Sequence, residues 1–379
     1  MQQRSGWRRA RAPVQVLSLI LFVLLTFSVN VPALNALPHD LFLWFDPLPA
    51  LLNSLSGRVL AQHVLPAVGL VFLTVVAGRV FCGWICPLGT VIDGAGTIAM
   101  RKRSGMTLGR LVAVRFGILG ALVGAAILGW SFLHWLDPLV IGTRVLHLSA
   151  LAKWEFMALG VTWGMLLGAV GLTLVARRFW CRVLCPLGAM LSLVARLAFF
   201  RRHVLEHCED CGSCLAACPL GNSAARGTVG DCLVCGRCES ACARGAIRFG
   251  LGNRLIGTVT ARRYGVAFDR NRRRLLAILG GLIVGSGIGL WARIRQNKPL
   301  LRPPGAVTER QFVARCVGCG ACMAVCPTEG LRPVVSLGHL ETAFSPELVP
   351  RTGPCLPDCV ACGEVCPTGA IRRLSVPEK

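Results

Sequence analysis

The chain has 379 residues, of which 54% are hydrophobic, and it carries a formal net charge of +23. Its mean hydropathy is +0.61, and few soluble globular proteins of this length are so apolar, so the composition favours a membrane protein. A large positive charge also suits nucleic-acid binding. The placement of the basic residues around apolar segments explains that charge, however, and we expect no nucleic-acid partner.

Four apolar segments in the first half of the chain are long enough to cross a bilayer, which takes about 20 apolar residues. They cover residues 14–31, 59–77, 111–130 and 156–175. The first lies where a signal peptide would, but it lacks a small-residue cleavage site and is followed by further spans, so we interpret it as a retained helix. Arg115, near the start of the third segment, is expected to extend its side chain to the membrane interface.

These segments form an internal repeat. A W-x-D-P-L motif follows the first span at residues 44–48 and the third at 135–139. A C-x3-C-P-L-G motif follows the second span at residues 82–89 and the fourth at 181–188. With two spans in each repeat, both repeats point the same way, so we expect them to pack about a pseudo-twofold axis along the membrane normal.

The basic residues predict the orientation. They cluster before the first span, between the second and third, and after the fourth, whereas the segments with the W-x-D-P-L motifs carry few. Positive charge favours the cytoplasmic side. We therefore expect a multi-pass protein of the bacterial inner membrane, with its N-terminus and both C-x3-C-P motifs on the cytoplasmic side.

Sixteen of the twenty cysteines form four runs with the spacing C-x2-C-x2-C-x3-C, lengthened by one residue in the last run. This is the ligand run of a bacterial ferredoxin, in which three thiolates bind one [4Fe–4S] cluster and the fourth binds its neighbour. Structural zinc usually takes two separated C-x2-C pairs and fits this spacing poorly. Three runs end in proline, whereas the second has Ala243 there. The predicted ligand sets are Cys208, Cys211, Cys214 and Cys242; Cys232, Cys235, Cys238 and Cys218; Cys316, Cys319, Cys322 and Cys366; and Cys355, Cys359, Cys362 and Cys326.

A fifth, shorter apolar segment at residues 275–291 separates the two pairs of runs, and three arginines at 272–274 precede it. The arginines resemble a twin-arginine signal, which exports folded cofactor proteins. If the segment spans the membrane, the last two clusters lie outside the cytoplasm. If it lies flat or buried, all four clusters are cytoplasmic. We favour the spanning interpretation.

The predicted fold is an α-helical membrane protein with a duplicated four-helix unit, a fifth span and two small α+β modules of the bacterial ferredoxin type. The expected domains are a membrane domain at residues 1–205, a first two-cluster module at 206–250, a basic linker at 251–274, a fifth transmembrane segment at 275–292 and a second two-cluster module at 293–379.

Four cysteines remain outside the runs, as two pairs spaced four residues apart in the C-x3-C-P motifs. They could form a further metal or redox site where the repeats meet, because thiolates favour soft metals. They could instead be two separate dithiols, or cysteines buried for packing. The residues of this possible site are Cys82, Cys86, Cys181 and Cys185.

Other cofactors are less well supported. The chain has no C-x2-C-H motif for c-type haem and no flavin motif, and His63, within the second span, is expected to be a packing residue. Near the predicted outer face lie Asp46, Asp137, His39 and His134. They could accept protons from a quinol, or the W-x-D-P-L motifs could only cap turns and anchor tryptophans at the interface. Both interpretations remain open.

Residues 1 to about 250 resemble the membrane-bound polyferredoxins of the NapH type, from periplasmic nitrate reductase systems. The resemblance rests on the four spans, the two C-x3-C-P motifs and the two cluster motifs that follow. Related proteins include the membrane region of the nitrous oxide reductase regulator and a methylamine-utilisation ferredoxin. From about residue 270, with R-P-P-G-A at 302–306, the chain resembles the NapG/MauM type. Members of that type can hold four clusters and this part has cysteines for two, so the chain looks like a fusion with a shortened second partner.

The resemblance implies a path for electrons from quinol. We expect a membrane-bound iron–sulfur protein that passes electrons from the quinone pool, or from a cytoplasmic donor, to an extracytoplasmic oxidoreductase or electron carrier. No catalytic acid–base or nucleophile set is visible, so we expect an electron-transfer component rather than a stand-alone enzyme. The alternative is a maturation factor that supplies electrons for assembling a metalloenzyme, for which the C-x3-C-P thiols are the candidate donors.

Overall fold

The structure is a computed structural model. It describes residues 6–29, 31, 38–58, 64–99, 109–130, 135–150, 156–205, 207–222, 229–251, 266–294, 300–335 and 342–379. The α-helices of these ranges are α1 (Gly6–Ser28), α2 (Leu41–Trp44), α3 (Pro47–Gly57), α4 (Val64–Ala77), α5 (Pro87–Ala99), α6 (Val114–Ile127), α7 (Pro138–Ala150), α8 (Phe156–Gly171), α9 (Pro186–Val194), α10 (Ser213–Ala217), α11 (Arg237–Ser240), α12 (Val266–Ile294), α13 (Glu309–Arg315), α14 (Ala321–Ala324) and α15 (Ala361–Glu364).

Two short antiparallel strand pairs complete the regular structure. Strand β1 (Phe200–Val204) pairs with β2 (Ile247–Leu251), so that Phe200 lies opposite Leu251. Strand β3 (Leu331–Pro333) pairs with β4 (Pro346–Leu348). The pair β3–β4 lies within the second predicted module. Strand β2 ends the first predicted module, whereas β1 lies just before it, at the end of the predicted membrane domain.

Among the described residues, three helices are long and apolar enough to cross a membrane, namely those at Arg9–Ser28, Phe156–Leu174 and Asn271–Trp291. Shorter apolar helices cover Val64–Ala77, Leu111–Ile127 and Pro186–Leu197. The predicted second and third spans coincide with two of these shorter helices. The duplicated four-helix unit and the fifth span therefore remain predictions, although the fifth coincides with one of the long candidates.

The chain forms two compact units. Unit 1 comprises residues 1–20, 69–119 and 169–279, and unit 2 comprises residues 21–68, 120–168 and 280–379. Unit 1 contains both C-x3-C-P motifs and the first predicted ferredoxin module, and its buried side chains include Phe116, Ile92 and Leu191. Unit 2 contains both W-x-D-P-L motifs and the second module.

The core of unit 2 joins the second module to membrane-domain helices. Phe312, Met323 and Phe344 of the module are buried in one apolar cluster with Val140 and Leu148 of α7. The module is therefore packed onto the segment that follows the second W-x-D-P-L motif. Burying large aromatic and aliphatic side chains in this way is the main favourable contribution to such packing.

Small residues allow α6 and α12 to approach closely. A Cβ on Gly124 would overlap the carbonyl oxygen of Leu282, and one on Gly285 would overlap the backbone of Ala121. Close packing through glycine and alanine is common between membrane helices, where the surrounding lipid is as apolar as the side chains.

Candidate iron–sulfur centres

The third cysteine run lines a small cavity in unit 2. Gly320, with a φ of 90°, begins α14 in the left-handed conformation that this turn needs. Burial raises the pKa of the thiol of Cys316 to about 11 and that of Cys319 to about 12. A metal bound by these thiols would replace their protons. The cysteines that line the cavity are Cys316, Cys319, Cys322 and Cys366.

The fourth run lines a second small cavity in unit 2. Burial is the largest cause that raises the pKa of Cys362, to about 11, and the charges of three neighbouring cysteines add to it. The cysteines of this cavity are Cys326, Cys355, Cys359 and Cys362. In each cavity the fourth cysteine comes from the other run, as the ferredoxin spacing predicts.

In the first module, which lies in unit 1, the predicted ligand sets are brought together less completely than in the second module. Burial raises the pKa of Cys238 to about 12, and the charges of Cys232, Cys235 and Cys218 raise it further. These four cysteines are the predicted second ligand set. Cys214 and Cys242 pack together in a neighbouring apolar cluster.

The two remaining cysteines of the first predicted set lie apart from that packing. Cys211 is exposed and donates a hydrogen bond to the hydroxyl of Ser213 over 3.4 Å. Cys208 is half-buried. Of the first predicted ligand set, only Cys214 and Cys242 therefore pack in the same apolar cluster.

Within the described ranges, no three His, Cys, Asp or Glu side chains converge as ligands of a single metal ion would. A [4Fe–4S] cluster has a different requirement, because each thiolate binds a different iron of the cube. Two cavities lined by four cysteines each fit a cluster better than a single ion. The residues present thus fit the predicted cofactor in the second module.

The C-x3-C-P motifs adopt the same local structure in both repeats. Each occupies a single π-helical turn, at Phe81–Ile85 and Trp180–Leu184, and a proline then begins the next helix. Such turns are rare and often mark functional sites. Burial raises the pKa of the thiols of Cys86 and Cys181 above the ordinary value, and each also interacts with the charge of Cys82.

Two arginines lie next to these thiols. The sequence had suggested for them no role beyond membrane topology. Arg178 donates to the carbonyl oxygens of Cys82 over 3.0 Å and Gly89 over 3.3 Å. It also forms a two-pronged ion pair with Asp93, at 2.7 and 2.8 Å. Arg79 approaches the Cys82 sulfur to 3.7 Å. Both arginines stand three residues before the first cysteine of their motif, so the internal repeat itself was the signal that could have identified them.

Arg115, which was expected to extend toward the membrane interface, has a buried side chain that forms an ion pair with Asp231. Arg274, the last arginine of the predicted export signal, also pairs with Asp231. Asp231 immediately precedes Cys232, so a buried carboxylate holds both guanidinium groups beside the second predicted ligand set.

The C-x3-C-P region also contacts the first ferredoxin module. Cys82 packs in one apolar cluster with Cys218 and Cys235, which belong to the second predicted ligand set. The indole nitrogen of Trp84 donates to the carbonyl oxygen of Val234 over 3.2 Å. The unassigned cysteines therefore lie against a predicted cluster loop.

The W-x-D-P-L motifs cap helices, as one of the two interpretations expected. Asp46 Oδ1 accepts from the amide of Leu48 over 3.0 Å at the start of α3, and Asp137 Oδ1 accepts from that of Leu139 over 2.9 Å at the start of α7. An aspartate cap followed by proline is a favoured way to begin a helix. The imidazole of His39 lies 3.4 Å from the carbonyl oxygen of Val365. The other histidines of interest, His63 and His134, lie outside the described residues.

Comparison with known families agrees with the cysteine patterns. A family model described as a 4Fe-4S binding domain matches residues 64–106 and 160–204, and another with the same description matches residues 313–332. The first model thus covers both C-x3-C-P motifs, and the second covers the third cysteine run.

Several curated proteins are similar in sequence. The methylamine utilization ferredoxin-type protein MauN of Methylobacillus flagellatus is 29% identical over 235 residues, which make up 57% of this chain and 77% of MauN. The ferredoxin-type protein NapH of Haemophilus influenzae is 28% identical over 189 residues, 47% of this chain and 63% of NapH. The ferredoxin-type protein NapG of Escherichia coli is 38% identical over 112 residues, 28% of this chain and 48% of NapG. The chain thus spans less than two thirds of the length of NapH and NapG. No solved structure matches it.

Proposed function

Because this chain is a polyferredoxin of the NapH/MauN type, we propose that it carries electrons within a membrane, from quinol or a cytoplasmic donor to an extracytoplasmic oxidoreductase. The two cavities lined by four cysteines each are the observation that carries this proposal. When bound, each [4Fe–4S] cluster would accept and release one electron. The sixteen cysteines of the four runs would hold four such clusters.

The chain's own residues position these sites against the membrane domain. In unit 2, Asn53 donates to the carbonyl oxygen of Arg315 over 3.3 Å and Ser56 to that of Ala314 over 2.9 Å. Arg144 donates to the carbonyl oxygen of Gly318 over 2.8 Å. The loop of the third cysteine run is thereby fixed to helices α3 and α7, which follow the W-x-D-P-L motifs.

These contacts bear on the predicted topology. The distribution of basic residues predicts that the W-x-D-P-L segments face the outside of the cytoplasmic membrane. A module that is packed on those segments would lie on the same side. This supports the proposal that α12 spans the bilayer, with the first module cytoplasmic and the second extracytoplasmic.

The C-x3-C-P cysteines are proposed to form a further metal or redox site. Both motifs are matched by a model described as a 4Fe-4S binding domain, yet neither match includes any cysteine of the four runs. Within the first unit, Cys82 lies against the second predicted ligand set. A redox site there would lie close to a cluster and could pass electrons to it.

The test is reduction of the purified full-length protein by a quinol. The purified protein, reconstituted in lipid discs, would be mixed with a reduced short-chain quinol, and the visible absorbance of the clusters would be followed. We expect partial bleaching that a quinone-site inhibitor prevents. Bleaching by dithionite but not by any quinol would contradict a quinol donor, and the cytoplasmic donor would then be sought.

The same protein would be assayed with its extracytoplasmic partner once that is isolated by co-purification. An electron-transfer component is needed for every turnover of the partner. A maturation factor is needed only while the partner is being assembled. Sustained activity of a mature partner after this chain has been removed would therefore contradict the proposed electron-transfer role.

A further inference from the structure

The two repeats contact each other at the C-x3-C-P motifs through one arginine from each. Arg178, of the second repeat, reaches the first, where it donates to the carbonyl oxygen of Gly89 over 3.3 Å. Arg79 stands at the equivalent position of the first repeat and reaches the second. A Cβ placed on Gly188, the equivalent of Gly89, would lie 3.1 Å from Arg79 Nη2 and 3.4 Å from Cys185 Sγ. The two arginines therefore cross between the repeats in the same way.

These equivalent arginines differ in the charge that they meet. Arg178 forms a two-pronged ion pair with Asp93, at 2.7 and 2.8 Å. In the second repeat, Ser192 occupies the position that corresponds to Asp93. Ser192 is completely buried, and its hydroxyl donates to the carbonyl oxygen of Ala189 over 2.8 Å. The second repeat thus offers Arg79 no carboxylate at the equivalent position.

Arg79 is nevertheless buried, with 1% of its surface exposed. Its Nη2 donates to the sulfur of Cys82 over 3.7 Å, whereas Nε and Nη1 have no hydrogen-bond partner among the described residues. A buried charge is costly unless an opposite charge compensates it. Because the group that Arg79 contacts is a cysteine sulfur, we expect the compensating charge to come from thiolates.

Two largely buried carboxylates of unit 1 already serve other arginines. Each of them forms ion pairs with two guanidinium groups, so four positive charges face two negative ones. The charge of Asp231 also acts on Arg79, which increases this imbalance. A further negative charge is therefore needed beside Arg79. The four ion pairs are those of Asp93 with Arg11 and Arg178, and those of Asp231 with Arg115 and Arg274.

We propose that Arg79 is the counter-ion of an anionic iron–thiolate centre formed by the C-x3-C-P cysteines, and that its charge raises the reduction potential of this centre. The inference rests on the further metal or redox site of the proposed function. It adds to that site a residue that is not a cysteine, and it states the sign of the charge that the site carries.

The effect on the potential follows from charge balance. Reduction adds one electron to the centre, supplied by the donor of the proposed function, and Arg79 keeps its proton throughout the step. The reduced centre carries one more negative charge, so its attraction to the guanidinium is stronger than that of the oxidised centre. Net charge and hydrogen bonds to sulfur are among the factors that set iron–sulfur potentials. Removing the charge of Arg79 should therefore make the potential more negative.

The test compares Arg79→Gln, which removes the charge, with Arg79→Lys, which keeps it, in the full-length protein. The signal of the centre is the part of the EPR spectrum that a Cys82→Ser/Cys181→Ser variant loses, and redox-poised EPR gives its midpoint potential. Arg244→Gln is the matched control. It removes the same charge within unit 1, from a side chain that is 66% exposed, where solvent and salt screen its field.

We expect Arg79→Gln to lower the equilibrium constant for reduction of this signal about tenfold or more, which corresponds to about 59 mV for one electron. Arg79→Lys should retain most of the wild-type potential, and Arg244→Gln should retain all of it. A wild-type potential in Arg79→Gln, with the signal still present, would overturn the inference. Unchanged iron and spectrum in the Cys82→Ser/Cys181→Ser variant would instead contradict the proposed site itself, and the inference would fall with it.

A second measurement decides the question if Arg79→Gln fails to fold. Without thiolates at positions 82 and 181, Arg79 would be left uncompensated, and a Ser192→Asp substitution would supply the carboxylate that it lacks. Ser192→Asp should therefore raise the melting temperature of the Cys82→Ser/Cys181→Ser variant. In the wild type it should lower the melting temperature, because the new charge would repel the anionic centre. An equal decrease in both backgrounds would overturn the role of Arg79 as counter-ion.

Discussion

Single residues around the C-x3-C-P motifs provide the most direct test of how unit 1 is held together. Asp93 accepts hydrogen bonds from Arg178 at 2.7 and 2.8 Å, from Gln15 at 3.2 Å, and from Arg11. Breaking a buried ion pair leaves an uncompensated charge, which costs about 3–5 kcal/mol. We expect Asp93→Asn to lower the free energy of unfolding by an amount of this order, measured by thermal or denaturant unfolding in detergent.

The exposed pair of Glu209 and Arg244 provides the control. It is also short, at 2.6 Å, but both side chains are more than half exposed, so Glu209→Gln should cost no more than about 1 kcal/mol. Equal losses in the two variants would mean that the Asp93 cluster is not buried in solution.

The same carboxylate predicts a pH dependence. Its neighbours Arg178 and Arg11 lower the pKa of Asp93 below the ordinary range, against the opposing effect of burial. A carboxyl whose pKa is lower in the folded state stabilises the fold above its unfolded pKa, and this contribution is lost as the pH falls toward the folded pKa. The difference in stability between wild type and Asp93→Asn should therefore shrink below about pH 4. A difference that stays constant on acidification would contradict the ion pair.

The C-x3-C-P cysteines can be tested by iron content. A Cys82→Ser/Cys181→Ser variant should lose iron and part of its visible spectrum if these thiols hold a further iron site, because serine is a poor ligand for it. Iron per chain would be compared with wild type and with a Cys322→Ser variant, which removes a ligand of a predicted cluster. Unchanged iron, spectrum and activity would leave the motifs without a redox role.

The sequence was most informative for residues whose function can be inferred from their spacing along the chain. The sixteen cysteines were predicted from spacing alone, and the cysteines of two of the predicted sets each line one cavity. The contacts of Arg79, Arg178 and Asp231 were not predicted, because the buried partners of a charged residue depend on how the chain folds. Arg115 illustrates the same point, since the carboxylate that holds it lies 116 residues further along.

At the level of helices, the packing of α6 against α12 depends on glycine. A Cβ on Gly285 would overlap the backbone of Ala121, whereas one on Gly287 of the same helix would meet no atom within 4 Å. Overpacking of this kind costs roughly 1–3 kcal/mol. We expect Gly285→Ala to lower the thermal stability of the protein.

Gly287→Ala is the matched control, because it makes the same chemical change two residues further along α12. It should leave the thermal stability unchanged or raise it slightly, since alanine is the better helix former. Equal melting temperatures for the two variants would contradict close contact between α6 and α12.

Sequence patterns predicted some helices and turns better than others. The long apolar stretches and the proline-initiated helices after the aspartates follow from local signals, because hydrophobicity and capping act within a few residues. The π-helical turns at the C-x3-C-P motifs were not predicted, because no local propensity favours that rare turn.

For the molecule as a whole, the order of the modules could be predicted from the cysteine runs and the apolar segments. The parts of the chain against which those modules pack could not be predicted. That the second module rests on the W-x-D-P-L segments depends on the burial of Phe312 and Phe344 against α7, and no repeat or spacing encodes such a contact. Docking of this kind is decided by complementary surfaces between distant parts of the chain.

The same docking leads to a prediction about sidedness that reporter fusions can test. A reporter that is active only in the cytoplasm would be fused either after Leu251, at the end of β2, or at the C-terminal Lys379. If α12 crosses the bilayer, the first fusion should be active and the second inactive, and a reporter that works only outside the cytoplasm should show the reverse. Because the only apolar helix in the described residues between these two positions is α12, a change of sign between the fusions would require that helix to span. Cytoplasmic activity at both positions would place all four predicted clusters on one side and would remove the proposed route across the membrane.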